Sequence, residues 1–319
     1  MELIHAAAEG KLDVVEHLIK NGVNINSQDL FFGTSAMHEA AENNDLNILY
    51  LLIQNKADIN IQDNESYTPL HLAIMKGNIE SVKLLVKYGA DIELRNEWGE
   101  TALLAAVSWG KLDIVKFLLE HKPNIDAESR GGDTSVIIAS KNGHLEILKL
   151  LVDHGANINL TDQCGCSALM GASQNGHLHI VDFLVKSGVD VNAVNDRGDT
   201  PLMMTASENH LKVMKYLVEH DADVNSTNKK GMSPLMIASL TGNMKMLNFL
   251  LISGADINLC NNDGYTALMF ASLNGILNVV RYLVKHGANI NIKNKDNETA
   301  LTLAEKGRHQ RVVNILSQR

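Results

Sequence analysis

Cys164-Gly165-Cys166 is the one close pair of soft ligands in this 319-residue chain, and thirteen histidines and 37 carboxylates surround it in the sequence. A structural zinc site takes four ligands. Cys260 is the only other cysteine, so no second pair completes one; the expectation is ordinary turn thiols, with redox sensing as the lesser alternative. The histidines keep a ruler-like spacing. His144, His177, His210 and His309 share one slot at multiples of 33 residues, and His121, His154, His220 and His286 share another. A catalytic histidine is placed by its chemistry, not by a period, and imidazole near a helix C-terminus is favourable with the helix dipole. Asp58, Asp91, Asp190, Asp223 and Asp256 likewise fall in one slot and are expected to be turn residues. There is no G-x-S-x-G elbow, phosphate loop, G-x-G-x-x-G or H-E-x-x-H. No catalytic residue, metal or cofactor is expected, and the chain is read as a non-enzyme.

Composition narrows the classes further. With 45% hydrophobic and 20% charged residues, the chain is of the ordinary globular kind. No apolar run reaches the length of a membrane-spanning helix, and MELIHAAAEGKLD is no secretory signal, so no membrane insertion is expected. Three cysteines suit a reducing, cytoplasmic setting. A formal charge of -9 argues against nucleic acid, which requires a basic face. The four N-x-S/T sequons at Asn64, Asn159, Asn225 and Asn297 matter only in a secreted chain.

The spacing of the histidines belongs to a repeat. Ser35, Thr68, Thr101, Thr134, Ser167, Thr200, Ser233, Thr266 and Thr299 each begin a unit 33 residues after the last. A partial copy opens the chain with Met1 in the hydroxyl slot, one extra residue falling within Leu30 to Thr34. Residues 1–34 are thus a partial repeat, 35–298 eight full ones and 299–319 a polar cap carrying Glu305, Lys306, Arg308, His309 and Arg311, read as one domain. Thr68-Pro69-Leu70-His71-Leu72-Ala73 combines a hydroxyl N-cap with proline at the first helical position. Gly77 ends that helix; Ile79, Val82, Leu85 and Val86 then trace a second amphipathic one, closed by Gly89. Such a unit cannot bury its apolar stripe alone and must stack.

TPLHLA at Thr68 to Ala73, GADI at Gly89 to Ile92 and NGHLEILKLLVDHGANIN at Asn142 to Asn159 resemble the ankyrin repeat family, over the whole chain. The resemblance implies an all-α, curved right-handed solenoid of helix-turn-helix units with projecting hairpin-like turns and a concave face lined by the first helices. It also implies that Asn159, Asn192, Asn225, Asn258 and Asn291 sit where family asparagines are sometimes hydroxylated. The TPLH histidine survives only as His38 and His71; Met170, Met203, Met236 and Met269 replace it and are expected to be core. Repeats two and seven lose both turn glycines, to Asn44 and Lys56 and to Asn209 and Asp221, and are the expected soft points. The first unit, lacking a turn of its own, is expected to expose Leu3 and Ile4.

Function is then sought where the repeat leaves residues free, which the resemblance puts on the turns and at the exits of the first helices. Phe31, Phe32, Tyr67, Trp98, Trp109 and Tyr265 fall on such positions, six of fourteen aromatics. Large rigid rings supply most interface hot spots. Tyr50, Tyr88, Tyr216, Tyr282, Phe117, Phe183 and Phe249 lie in or beside second helices and are expected to pack. Residues 1–100 hold 16 acidic and 7 basic side chains, the remainder 21 of each, so the net charge lies in the first third. The expected primary site is an acidic-rimmed aromatic groove of Phe31, Phe32, Glu42, Glu65, Tyr67, Met75, Glu97, Trp98, Glu100, Trp109 and Asp133. A weaker patch comprises Lys229, Lys230, Met232, Leu240, Tyr265 and Leu273. The reading is a monomeric scaffold, adaptor or inhibitor that binds another protein through a basic or amphipathic segment. The alternatives are an effector of an intracellular pathogen, symbiont or virus acting on a host protein, and a noncatalytic regulatory region of a larger enzyme.

Overall fold

A computed structural model describes residues 1–318. The hydroxyl that opens each unit starts a helix: Thr68 Oγ1 accepts the N–H of His71 at 3.3 Å, and Thr200 and Thr266 repeat the bond with Met203 and Met269. A second helix follows after a tight turn. The first compact unit, Met1–Gln163, contains α1 (Glu2–Ala8), α2 (Leu12–Lys20), α3 (Ala36–Glu42), α4 (Leu46–Gln54), α5 (Pro69–Lys76), α6 (Ile79–Lys87), α7 (Ala102–Ser108), α8 (Leu112–Glu120), α9 (Ser135–Asn142) and α10 (Leu145–Asp153). The second, Cys164–Arg319, contains α11 (Ala168–Gln174), α12 (Leu178–Lys186), α13 (Pro201–Glu208), α14 (Leu211–Glu219), α15 (Pro234–Thr241), α16 (Met244–Ile252), α17 (Ala267–Leu273), α18 (Leu277–Lys285), α19 (Ala300–Lys306) and α20 (Gln310–Leu316). The β features among the described residues are isolated bridges, Gln28 with Ser35 and Glu128 with Thr134, and bridge residues at Thr161 and Ser167.

Helices of seven to nine residues are too short to stand alone in water, so each depends on its neighbours. Within each unit first helices pack on first helices and second on second, as α3 does on α1 and α5, and α14 on α12 and α16. The buried layer is drawn from every repeat: Leu70, Ile74, Val82 and Leu85 in one copy and Leu235, Met246, Leu247 and Leu250 in another are at most 1% exposed. Met170, Met203, Met236 and Met269 are buried in this core as expected. His38 and His71 do more than fill space. Each ring closes a capping box on Ser35 or Thr68 and reaches the next repeat, His38 Nε2 to the Tyr67 carbonyl at 3.0 Å and His71 Nε2 to the Glu100 carbonyl at 3.1 Å.

Two expectations need correction. Leu3 and Ile4 are buried, at 0% and 6%, because α1 lays its apolar side directly on α3; the exposed apolar residues there are Met1, Leu12, Val14 and Val23. Tyr50 and Tyr88 are not in the core either: both are exposed and meet edge-on at 6.1 Å. The glycine replacements Asn44, Lys56, Asn209 and Asp221 all adopt positive φ. Lys122 and Arg308 take the same strained conformation at two further glycine slots.

Candidate functional site

The projecting turns are organised by a polar side chain five residues before the capping hydroxyl. Asp63 Oδ1 accepts the N–H groups of Glu65 and Tyr67 at 3.0 and 2.8 Å, and Asn96 Oδ1 those of Trp98 and Glu100 at 3.0 and 2.9 Å. Ser129 Oγ accepts the Asp133 N–H at 3.2 Å. The first turn holds the extra residue, and Asp29 does the same work there. Its carboxylate accepts the N–H groups of Phe31 and Phe32, both at 2.8 Å, and that of Thr34 at 2.7 Å, together with the Thr34 hydroxyl. The hydroxyl contributes most, and the amides add to it, in holding the Asp29 carboxyl well below the usual carboxylate range. The added residue, Leu30, is thrown outward to 91% exposure.

Successive turns are stitched by one backbone hydrogen bond each. The Asn64 N–H donates to the Phe32 carbonyl at 2.9 Å, Glu97 to Glu65 at 2.9 Å, and Arg130 to Trp98 at 2.8 Å. Side chains add a second seam, with Gln62 Nε2 donating to the carbonyls of Ser66 and Arg95, and Arg95 to those of Gly99 and Glu128. Phe32, Glu65 and Trp98 therefore stand in one column at a fixed spacing, and the rings are free of the core: Phe31 is 83%, Phe32 72% and Trp98 60% exposed.

Two clefts open beside this column in the first unit. One, of about 420 Å³, is lined by Phe31, Phe32, Thr34, Glu39, Glu42, Asp63, Asn64, Glu65 and Leu72. Its floor is acidic, and burial followed by the nearby Glu42 raises the Glu39 carboxyl. Glu42 also meets Lys76 at 2.8 Å. The other, of about 470 Å³, is lined by Trp98, Glu100, Ser108, Ser129, Arg130, Asp133, Ile138, Lys141 and others, and its charge is mixed. Lys141 Nζ bridges Asp133 at 2.6 Å and Asp162 at 3.2 Å; burial works against its charge and the two carboxylates outweigh it, so its pKa is raised. Between the clefts, burial raises the Tyr67 phenol; a hydrogen bond with Trp98 opposes that, and Glu100, Glu65 and Glu97 reinforce it. Tyr67 also packs edge-on against His71 at 6.0 Å.

Of the residues expected at the primary site, the structure gathers Phe31, Phe32, Glu42 and Glu65 around the first cleft and Trp98, Glu100 and Asp133 around the second. Tyr67 adjoins Trp98. Met75, half-buried, Glu97, half-buried, and Trp109, 53% exposed at the end of α7, line neither of these clefts. Sequence reasoning missed Leu30, Glu39, Arg130 and Lys141. In the second unit Lys229 and Lys230 are exposed, Leu240 is 39% exposed and Leu273 is half-buried. Tyr265 is engaged within the fold, stacked on Phe270 at 5.3 Å with its hydroxyl 3.5 Å from Glu298 Oε2. Met232 Sδ receives Asn261 Nδ2 at 3.7 Å.

The repeated polar residues resolve into structural bonds. Nδ1 of His121, His154, His220 and His286 lies 2.8–2.9 Å from the carbonyl four residues earlier. Asp58, Asp91, Asp190, Asp223 and Asp256 each accept the N–H two residues on, closing turns as expected. Asn192, Asn225 and Asn258 accept the first N–H of the following turn at 2.7–2.9 Å. Cys164 and Cys260 are exposed, and the half-buried Cys166 Sγ lies 3.6 Å from Asn195 Nδ2. Among the described residues no group of three or more His, Cys, Asp or Glu is arranged to hold a metal, and no helix is long and apolar enough to cross a membrane.

Comparison with protein families matches the sequence to the model for ankyrin repeats (3 copies) over residues 3–96, 89–162, 169–259 and 235–319. Among curated proteins, 76 residues are 37% identical to alpha-latrotoxin-Lhe1a of Latrodectus hesperus, 23% of this chain and 5% of that one. A stretch of 62 residues is 37% identical to the putative ankyrin repeat protein FPV031 of fowlpox virus (strain NVSL), 19% of this chain and 18% of the viral protein. The chain thus spans only a small part of the length of these relatives.

Proposed function

The chain belongs to the ankyrin repeat family, whose repeats generally mediate protein–protein interaction, and from that premise we propose that its first unit binds a basic or amphipathic segment of another protein. The observation that carries this reading is the set of exposed rings on the turns, Phe32 and Trp98 in one column with Phe31 beside it, on a backbone of fixed spacing among carboxylates. Because the turn backbone is already fixed, binding has only the two side-chain torsions of each ring to order, which is what makes aromatic residues effective anchors. Glu39, Glu42, Asp63 and Glu65 around the first cleft favour a cationic side chain between the phenylalanines. Trp98 supplies a second, less charge-selective anchor, since Arg130 and Lys141 balance Glu100 and Asp133 beside it. The role is that of a non-catalytic scaffold, adaptor or inhibitor.

Selection of a random peptide library on the full chain tests this. Enrichment of peptides joining Lys or Arg to apolar residues, retained by the parent chain and lost with Phe31→Ser/Phe32→Ser and with Trp98→Ala, is the expected result. Enrichment of acidic peptides, or equal capture by the variants, overturns it.

A further inference from the structure

The second helices of the two units share one design and differ in charge. Three exposed columns run along them, at twelve, fifteen and nineteen residues after the capping hydroxyl, a spacing that puts all three on one helix face. In the first unit the twelfth position holds Asp13, Asn47, Glu80, Asp113 and Glu146, and the last three pair with the lysine at the fifteenth, Lys83, Lys116 and Lys149, at 2.9–3.7 Å. In the second unit that position holds His179, Lys212, Lys245, Asn278 and Arg311 instead, so the acidic half of each pair is gone. Across α12, α14, α16, α18 and α20 the three columns carry Lys186, Lys212, Lys215, Lys245, Arg281, Lys285 and Arg311 against only Asp182 and Glu219. All seven cations are exposed, and only Lys186 enters an ion pair among the described residues, with Asp182. In their midst Ile252 at the end of α16 is 77% exposed.

We propose that this face of the second unit docks on the surface of an anionic lipid bilayer. The cations are distributed over neighbouring helices that pack at about 8–10 Å, a spread that laterally mobile headgroups can follow. Ile252 supplies an apolar contact to the interface. Three of the four rings beside the face are already engaged: Tyr216 stacks on His220 and donates to Asp182, Tyr282 stacks on His286 and donates to Asn248, and Phe249 lies under Lys215. The fourth, Phe183, is half-buried on α12, and a single partly covered ring is no platform for successive bases, which favours the bilayer over a nucleic acid.

Sedimentation of the full chain with phosphatidylcholine vesicles, with and without phosphatidylserine, reads the proposal directly. Binding is expected only with the anionic lipid and is expected to fall at high salt. At about fivefold per cation removed, Lys212→Glu/Lys215→Glu/Lys245→Glu/Arg281→Glu lowers the partition coefficient on the order of 100-fold or more. Lys83→Glu/Lys87→Glu/Lys116→Glu/Lys149→Glu makes the same change of net charge in the first unit and is expected to leave most of the binding. Ile252→Asp, at a largely exposed position, is expected to reduce binding while the melting temperature stays close to that of the parent. Should the fourfold reversal fail to fold by circular dichroism, the corresponding Gln substitutions replace it with the same expected direction. No binding to phosphatidylserine vesicles at low salt overturns the proposal, as do equal binding to neutral vesicles and equal loss in the two fourfold variants. Capture by poly-glutamate or RNA without capture by vesicles also overturns it and reassigns the face.

Discussion

His71 is a buried imidazole with its pKa pushed down to about 4, because burial penalises the cation more than the bond to the Glu100 carbonyl favours it. An unfolded histidine titrates near ~6.5, so between about 6.5 and 4 the unfolded chain binds the proton more readily. The stability this residue confers is therefore complete above that window and is lost as pH falls through it. Thermal melts from pH 7 to pH 4 are expected to show a steeper decline for the parent than for His71→Gln; parallel profiles would remove the assignment. His38 is lowered for the same reason and adds to the parent slope. At the opposite extreme of exposure, Trp98→Ala is expected to weaken peptide binding by about 2 kcal/mol with little change in melting temperature, checked by calorimetry beside a melt. The exposed rings were legible in the sequence because Trp98 and Phe32 occupy slots the packing register does not use. Asp29, Asp63, Asn96 and Ser129 were not: three residue types share one slot, and their common role is visible only when the bonds are drawn. Lys141 escaped for a related reason, since Asp162, one of its partners, lies 21 residues away.

At the scale of the turn and the helix, two classes of left-handed position carry different loads. Gly254 closes α16 with φ of 92°, and a Cβ there would meet nothing within 4 Å. Gly231 lies in a projecting turn with φ of 74°, where a Cβ would stand 2.5 Å from the Asn262 backbone nitrogen. Gly254→Ala is expected to cost about 1 kcal/mol, the conformational penalty alone, and Gly231→Ala distinctly more because the seam to the next turn must also move. Chemical denaturation of the two variants separates them; equal losses would contradict the distinction. Conversely, Lys56→Gly and Asp221→Gly relieve the same conformation at open sites and are expected to stabilise by up to about 1 kcal/mol. The helix boundaries and caps were readable from the repeat, since Thr and Pro at the start and Gly at the end state them locally. The burial of Leu3 and Ile4 was not. It depends on how α1 lies on α3, and the partial first repeat gives no local sign of that.

Taken as a whole, the chain segregates charge along its length. The first unit holds 24 acidic and 13 basic side chains, and the second 13 acidic and 15 basic. The excess of acid lies in the unit that bears the exposed rings, so encounter with a cationic segment is steered and salt-sensitive. Raising ionic strength is expected to slow association with a selected basic peptide far more than it speeds dissociation, as stopped-flow measurements would read. The repeat period and the charge imbalance were both accessible from the sequence alone, because each is a sum over many positions. The balance within each cleft was not, since Lys76 and Lys141 compensate Glu42 and Asp133 through contacts that only the fold creates. The most direct test of the central reading is the affinity of a library-selected basic amphipathic peptide for the full chain and for Phe31→Ser/Phe32→Ser/Trp98→Ala, measured by calorimetry with melts in parallel. A loss of about 30-fold or more at an unchanged melting temperature is predicted. A loss below about threefold in a fully folded variant would contradict the account and move the binding surface away from the aromatic turns.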